Sequence, residues 1–496
     1  MIIIPRRLTA ASLAALLACS PALAQDPAPA AMPAAPAAAA DGPELTLQQC
    51  IDRALKHNFD LEIGRYNPAI AKDSIEVAKG GFQPAISVTG STGKTVVPGL
   101  NTKTSDLRVG VTEQLYTGTT VTASSRLDRS SLDPAVAALN PAYNADLTLS
   151  VRQNLLQGFG TNANMAGINR AKLGLDVANL NYKVTALTVI QNTENAYYNL
   201  AFAREQLKVF NASFELANRL WEEAKIRRQT GVATDLDVLT AEVGVANARR
   251  NVILGTQTVK DRQDALLGLI GQFELDSALG AVRFAEVSDA TPIFASSLRM
   301  AKENQPDYLA SVATIEQLKL DLVVAKDAAK PDLSVGAALG LSGTNGSGHD
   351  AFSDALDRQG HSWQVDFAFN YPWGQTSDRA RYRQSLATLN REQVHLKQIE
   401  QNIELQVRSA VRSVETNLES VKIATLAAKL SEQQYELEKA KFDAGQSTSY
   451  RVLQAQTDLE TARVSELQAK VNLQGAITGL HRLEGSSLQR YAVNLP

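Results

Sequence analysis

The 496-residue chain sets 49 Lys and Arg against 52 Asp and Glu, a formal net charge of −3 with 20% charged residues. That balance excludes a basic surface for nucleic acid. With aromatics at 6% and long tracts of Ala, Leu, Gln, Glu and Lys, the composition favours extended helices over one compact mixed domain.

Residues 1–24 read as a secretory signal. Arg6 and Arg7 form the charged start, Leu8 to Leu17 the apolar run, and Ala22-Leu23-Ala24 the cleavage site before Gln25. The run is too short to span a bilayer as an anchor. An alternative sits inside it: Leu16-Leu17-Ala18-Cys19 resembles a lipobox, in which Cys19 becomes the lipidated N-terminus. Residues 25–43 are an Ala/Pro tract without periodicity, expected to be a disordered spacer. Cys50, the only other cysteine, reads as a small buried apolar residue, with no internal disulfide and no Cys-rich metal site.

Residues 47–79 form an amphipathic helix. Alternating segments follow Pro84: Ile86 and Val88, then Leu107 to Leu115, Val121 to Leu127, and Leu147 to Leu155. One apolar and one small or polar face over about nine residues is the pattern of a membrane β-barrel strand; half-buried strands of a soluble sheet would alternate too. Long loops are expected at 98–106 and 129–145, and a tight turn at Thr117-Gly118. Residues 162–228 then form a helix of roughly 100 Å at about 1.5 Å per residue. Its heptad seam shifts phase near residue 190, so it bends or changes partners there. A returning helix covers 235–269, and further helix 298–326. The second half repeats the order. Strands at Leu333–Leu341 and Val365–Tyr371 flank a long loop at 342–361, and helices follow at 375–442 and 450–483.

The two helical hairpins turn on related sequences. Gly231-Val-Ala-Thr-Asp-Leu-Asp-Val238-Leu239-Thr-Ala241 is echoed by Gly445-Gln-Ser-Thr-Ser-Tyr-Arg-Val452-Leu453-Gln-Ala455. Such spacing at long range marks a duplicated unit. With Leu45-Thr-Leu47, Ala54-Leu55-x-x-Asn58, Gln83-Pro84, Lys330-Pro331 and Tyr371-Pro372-Trp373-Gly374 in the same order, the chain from 45 to about 485 resembles the TolC-like outer-membrane efflux proteins.

The resemblance implies a mainly α fold with a membrane β-barrel: a trimeric α-helical tunnel below a transmembrane barrel, built from two structural repeats. The first repeat would cover 44–290 (helix, strands about 85–156, hairpin 162–270, equatorial segment). The second would cover 291–485 (helix, strands about 332–373, hairpin 375–483), with a tail at 486–496. It implies a homotrimer with four strands per chain, set in outer-membrane lipid of a Gram-negative bacterium, with the tunnel in the periplasm. The implied partners are a periplasmic adaptor protein and an inner-membrane RND or ABC pump, with no cofactor and no nucleic acid. The glycine turns, with Gly231, Val238, Leu239, Gly445, Val452 and Leu453, would form the hairpin ends that dock on the adaptor.

Two departures stand out. The hairpin at 107–127 is extra; it either widens the barrel or projects outside as a β-arm. At the gate, the positions where the family carries acidic side chains hold Arg451 and Gln454, while the first repeat has Asp235 and Asp237. Asp237 and Arg451 could pair across neighbouring hairpins and hold the tip closed, or could be two solvated charges at helix starts. Thr234 and Asp235 also suit an N-cap and first turn.

Other motifs carry less. Gly158-Phe-Gly160-Thr-Asn-Ala163 mimics a dinucleotide fingerprint, but its strand alternates and its helix is too long for a βαβ unit; it reads as a strand-to-helix joint. The five His are scattered without ligand spacing, and no Gly-x-Ser-x-Gly nucleophile motif occurs, so no enzyme is expected. Trp363, Tyr371 and Trp373 suit an aromatic belt or core packing. The expected function is the exit duct of a tripartite efflux or type I secretion system, a passive conduit gated at its periplasmic tips. A structural coiled-coil envelope protein would explain only the helices, and a stand-alone diffusion porin only the strands.

Overall fold

A computed structural model describes residues 45–133, 137–271, 279–284, 291–358 and 360–493. The signal and spacer, Cys19 and most of the equatorial segment lie outside the described residues. The chain opens with α1 (Leu47–His57) and α2 (Phe59–Gly80), where one helix was expected. Asn58 separates them: its extended backbone stops α1, and its side chain accepts the Asp60 amide to start α2. Thr46 and Gln49 close a capping box on α1.

Four strands follow, β1 (Ala85–Val97), β2 (Leu100–Gln114), β3 (Thr119–Asp133) and β4 (Ala142–Asn154), and then α3 (Thr161–Asn164) and α4 (Ala166–Gln229). The loop expected at 98–106 is instead strand, reversed at Pro98-Gly99, where Gly99 takes a left-handed φ of 85°. The segment expected as loop at 129–145 is likewise strand to Asp133 and again from Ala142. Polar side chains occupy both faces of these strand ends, and inter-strand bonds satisfy their backbone; composition had disguised them as loop.

At 64 residues, α4 is about 96 Å long. It does not break near residue 190; it changes partners. Its upper part packs on α2, where Gly64 lies against Tyr182, and on α7 (Pro306–Ala328), where Arg170 pairs with Asp321 at 3.3 Å. Its lower part packs on α5 (Asp235–Ile270) and α10 (Ser449–Glu484). The helix expected at 298–326 is interrupted: α6 (Phe294–Asn304) stops before Pro306, which starts α7. After it come β5 (Asp332–Asn345), α8 (Gly348–Leu356), β6 (Gly360–Asn370), α9 (Thr376–Asp443), α10 and α11 (Ser487–Arg490). The loop expected at 342–361 thus holds a short helix, whose Ala351 and Ala355 pack on Ala145, Leu127 and Tyr143.

Among the described residues the strands form one antiparallel sheet in the order β1-β2-β3-β4-β5-β6. Register aligns the two faces across all of it. Ile86, Val111, Ala123, Leu149, Leu339 and Trp363 make one apolar row, and Ser87, Gly110, Ser124, Thr148, Gly340 and Ser362 the adjacent polar one. The apolar row lies largely open: Ile86 is 75% exposed and Trp363 75%. No described helix is long and apolar enough to cross a membrane.

The largest helical core joins Cys50, Ala54 and Leu61 to Val189, Tyr197 and Leu200 of α4 and to Leu266, Leu267 and Ile270 of α5. Cys50 is fully buried there, and burial pushes its thiol up to about 12, so it is an inert packing residue. A second core lines Val407, Val411, Val414 and Leu418 of α9 against Leu473 and Leu480 of α10, the four-three step visible in the sequence.

Candidate functional site: the two hairpin tips

The first hairpin, α4–α5, and the second, α9–α10, end in the same backbone turn. Gly231 has φ 75° and Gly445 φ 74°. In the first, the Gly231 amide donates to Arg228 and the Val232 amide to Arg227 (3.0 and 2.8 Å); in the second, Gly445 donates to Phe442 and Gln446 to Lys441 (3.0 and 2.8 Å). These are matching Schellman caps, which need a residue at positive φ and so select glycine.

The helix starts after the turns differ. Thr234 caps α5: its hydroxyl accepts the Asp237 amide at 3.2 Å, and Asp237 Oδ2 accepts the Thr234 amide at 2.9 Å and its hydroxyl at 2.7 Å. These bonds hold the Asp237 carboxyl below the ordinary carboxylate range, the backbone bond contributing most. In the second tip, Arg451 occupies the position equivalent to Asp237. Having no acceptor, it cannot close such a box, and Thr448 makes no side-chain cap bond. Ser447 instead donates to Glu438, depressing that carboxylate, with the Lys441 and Arg451 charges adding to the shift.

No ion pair joins Asp237 to Arg451 within the described chain. Asp235 pairs with Arg228, and Gln454 donates to Asp458 at 3.0 Å. The four polar tip residues thus line two adjacent helix starts without contacting one another.

Packing separates the tips further. Val452 is 3% exposed, in a cluster with Leu220, Tyr435, Phe442, Ala455 and Leu459, and Leu453 packs at its edge against Gly244. Arg227 reaches across from the first hairpin: its guanidinium lies 4.0 Å from the Phe442 ring centroid and donates to the Phe442 carbonyl at 3.1 Å. The first tip is the reverse. Val238 is half-buried, while Val232, Leu236, Leu239 and Val243 are 76, 71, 58 and 52% exposed. At helical spacing Leu236, Leu239 and Val243 form one bare apolar stripe.

Two contacts escaped the sequence reading. Arg227, in the last turn of α4, could have been flagged as a C-terminal cation, but nothing local named Phe442 as its partner. Glu194, at 4% exposure, accepts from Thr478 and from Tyr491 and so ties the C-terminal tail to α4; burial raises its pKa. Its only sequence signal was a carboxylate on a helix face otherwise filled by apolar residues.

Comparison with known proteins matches this architecture. The family model described as "Outer membrane efflux protein" matches residues 50–272 and 297–486. The chain is 24% identical over 388 residues to the pyoverdine export outer membrane protein OpmQ of Pseudomonas aeruginosa, covering 75% of this chain and 74% of that protein. The crystal structure of the Campylobacter jejuni CmeC outer membrane channel superposes with a TM-score of 0.67 at 17% identity, over 91% of this chain and 90% of that one. That of VceC from Vibrio cholerae gives 0.67 at 15%, over 88% and 96%. The chain belongs to the outer membrane efflux protein family: it is a TolC-like outer-membrane channel, with its β-sheet in the membrane and its helical tunnel in the periplasm.

Proposed function

We propose that three copies of this chain form one passive duct, opened and closed at the hairpin tips, which receives its cargo from an inner-membrane RND or ABC pump through a periplasmic adaptor. The unequal packing of the two tips carries this reading. The second tip is clamped to its neighbour through Phe442 and Val452, whereas the first presents the bare stripe of Leu236, Leu239 and Val243. An apolar stripe on a wet helix end is a docking surface for an adaptor hairpin. Adaptor contact there would move the tips as rigid units along their seams.

The gate rests on Asp235, Asp237, Arg451 and Gln454. Asp237 and Arg451 do not meet within one chain, so their pairing belongs between the first hairpin of one copy and the second of the next. Each exposed pair contributes about 0–1 kcal/mol. Three copies together are comparable with the few kcal/mol that separate two conformations of a gate. Transport involves no covalent step, and the cargo is selected by the pump; pyoverdine and antibiotics are the cargoes that the relatives' names suggest.

Arg451→Glu tests the gate in planar bilayers with potassium chloride. It sets a carboxylate against Asp237, so resting conductance should rise several-fold and shift towards cations. Unchanged conductance and selectivity would remove the pair from the mechanism. A disulfide between Asp235→Cys and Gln454→Cys of adjacent copies should cancel the rise until it is reduced.

A further inference from the structure

The extra hairpin has a definite place. β2 and β3 lie inside the sheet, with β1 on one side and β4 on the other, joined by continuous registers of 13, 14 and 12 residue pairs. Their turn sits at the helix-proximal end. Thr117 O accepts the Gly160 amide at 3.1 Å, and Gly118 O accepts the Asn154 amide at 3.3 Å, fixing the turn on the joint where β4 passes into α3. A β-arm projecting from the outer surface would have its turn far from that joint. Val111 also lies in the apolar row of Leu149, Leu339 and Trp363, and Val109 lies level with Leu147 and Leu341 on the same face.

The sheet has two bare edges. Among the described residues neither β1 nor β6 pairs with a further strand, yet both carry exposed apolar residues: Ile86 and Val88 on β1, Val365 and Phe367 on β6. Unpaired backbone groups in lipid are costly enough that only closed sheets persist there. Closure within one chain would give six strands, fewer than the roughly eight at which side chains already fill a barrel interior. Each edge must therefore meet the opposite edge of another copy.

We propose that β1 of each copy pairs with β6 of the next, so that three copies close a barrel of eighteen strands, six from each. The count of three rests on the trimer proposed above; the count of six does not. Since barrel diameter grows roughly linearly with strand number, the exit is about half again as wide as one built from four strands per copy. The added strands also bring charge into it. On the polar face Asp106 accepts from Arg108 at 3.0 Å and from Arg126, Arg126 lies 3.8 Å from Asp128, and Asn144 donates to Asp128 at 3.0 Å. A belt of compensated charges then lines a wide mouth, which suits hydrophilic cargo larger than a single ion.

Single-cysteine variants in proteoliposomes, treated with a membrane-impermeant maleimide, test the wall; native mass measurement counts the copies. Val109→Cys and Ala123→Cys should stay unlabelled, and Ser124→Cys should label to the same extent as Thr148→Cys on β4. Combining Ile86→Cys or Val88→Cys with Val365→Cys or Phe367→Cys should give, on oxidation, a ladder ending in a covalent trimer. Trimeric mass with Val109→Cys and Ser124→Cys labelled alike would place the hairpin outside the wall and overturn the eighteen-stranded barrel. A mass other than three copies would instead overturn the trimer, and the count of eighteen with it, while labelling confined to the polar face would still uphold six strands per chain.

Discussion

The two hairpin tips start from related sequences and share one backbone turn, yet they are stabilised by different means. The first relies on local chemistry, a capping box between Thr234 and Asp237, and leaves its apolar residues bare. The second has no side-chain cap and relies on tertiary packing, with Phe442 and Val452 buried against Leu220 and Arg227 overhead. A duplicated element therefore holds its shape at one end by hydrogen bonds near in sequence and at the other by contacts more than two hundred residues apart. The first can change partners without unfolding, as a docking surface requires. The second cannot move without either carrying the first hairpin along or breaking a core.

The largest difference should appear on truncating the apolar side chains. Phe442→Ala removes a 4%-exposed ring and should cost about 3–5 kcal/mol of local stability. Leu239→Ala, at 58% exposure, should stay within about 0.5 kcal/mol. Amide hydrogen exchange over 436–456 and 232–245 reads both. Equal protection losses in the two variants would erase the contrast, because they would mean that the second tip is not held by its core.

A smaller effect separates the caps. Thr234→Ala should cost the first tip about 1 kcal/mol, whereas Thr448→Ala should be nearly neutral because that hydroxyl makes no cap bond. Arg451→Glu supplies the missing box partner, and it should protect the amides of 449–452 by up to about 1 kcal/mol while loosening the gate. Thermal exchange profiles of the three variants check this ordering. A Thr448→Ala loss as large as that of Thr234→Ala would contradict it.

Periodicity made the long helices, the heptad seams and the alternating strands legible, because those signals repeat every few residues. The glycine turns were legible for a related reason: a Schellman cap demands positive φ at a fixed spacing, as at Gly231 and Gly445. Strand ends were not. Residues 100–106 and 129–133 are rich in Asn, Thr, Ser and Asp, which read as loop, yet the sheet neighbours satisfy their backbone. Nor did the sequence reveal which tip would be covered. Val238-Leu239 and Val452-Leu453 are identical dipeptides, and the deeper burial of the second pair depends on where Phe442 and Gly244 arrive in the fold. The Asp237/Arg451 mismatch was visible at once, but its local consequence, a box closed at one tip and absent at the other, needed the hydrogen bonds.

The smallest expected effect is a pH response of opposite sign at the first tip and at the tail. Asp237 has a folded pKa below its ordinary 3.8 because Thr234 donates to it. Its contribution is therefore complete above 3.8 and lost as pH falls through the lower folded value. The group is only partly buried, so screening limits the loss to a few tenths of a kcal/mol. Glu194, buried against Thr478 and Tyr491, has its pKa raised from 4.5 chiefly by desolvation. Its contribution is complete below 4.5 and is lost as pH rises through the folded value. Acidification from pH 6 to 3 should thus fray 234–240 slightly and tighten 488–493 on α4. Protection factors corrected for intrinsic exchange measure both, and Asp237→Asn, which removes the titrating group, should abolish the first response alone. If the tip and the tail moved in the same direction, the carboxylates would not be the cause, and the capping box would contribute to the first tip by geometry rather than by charge.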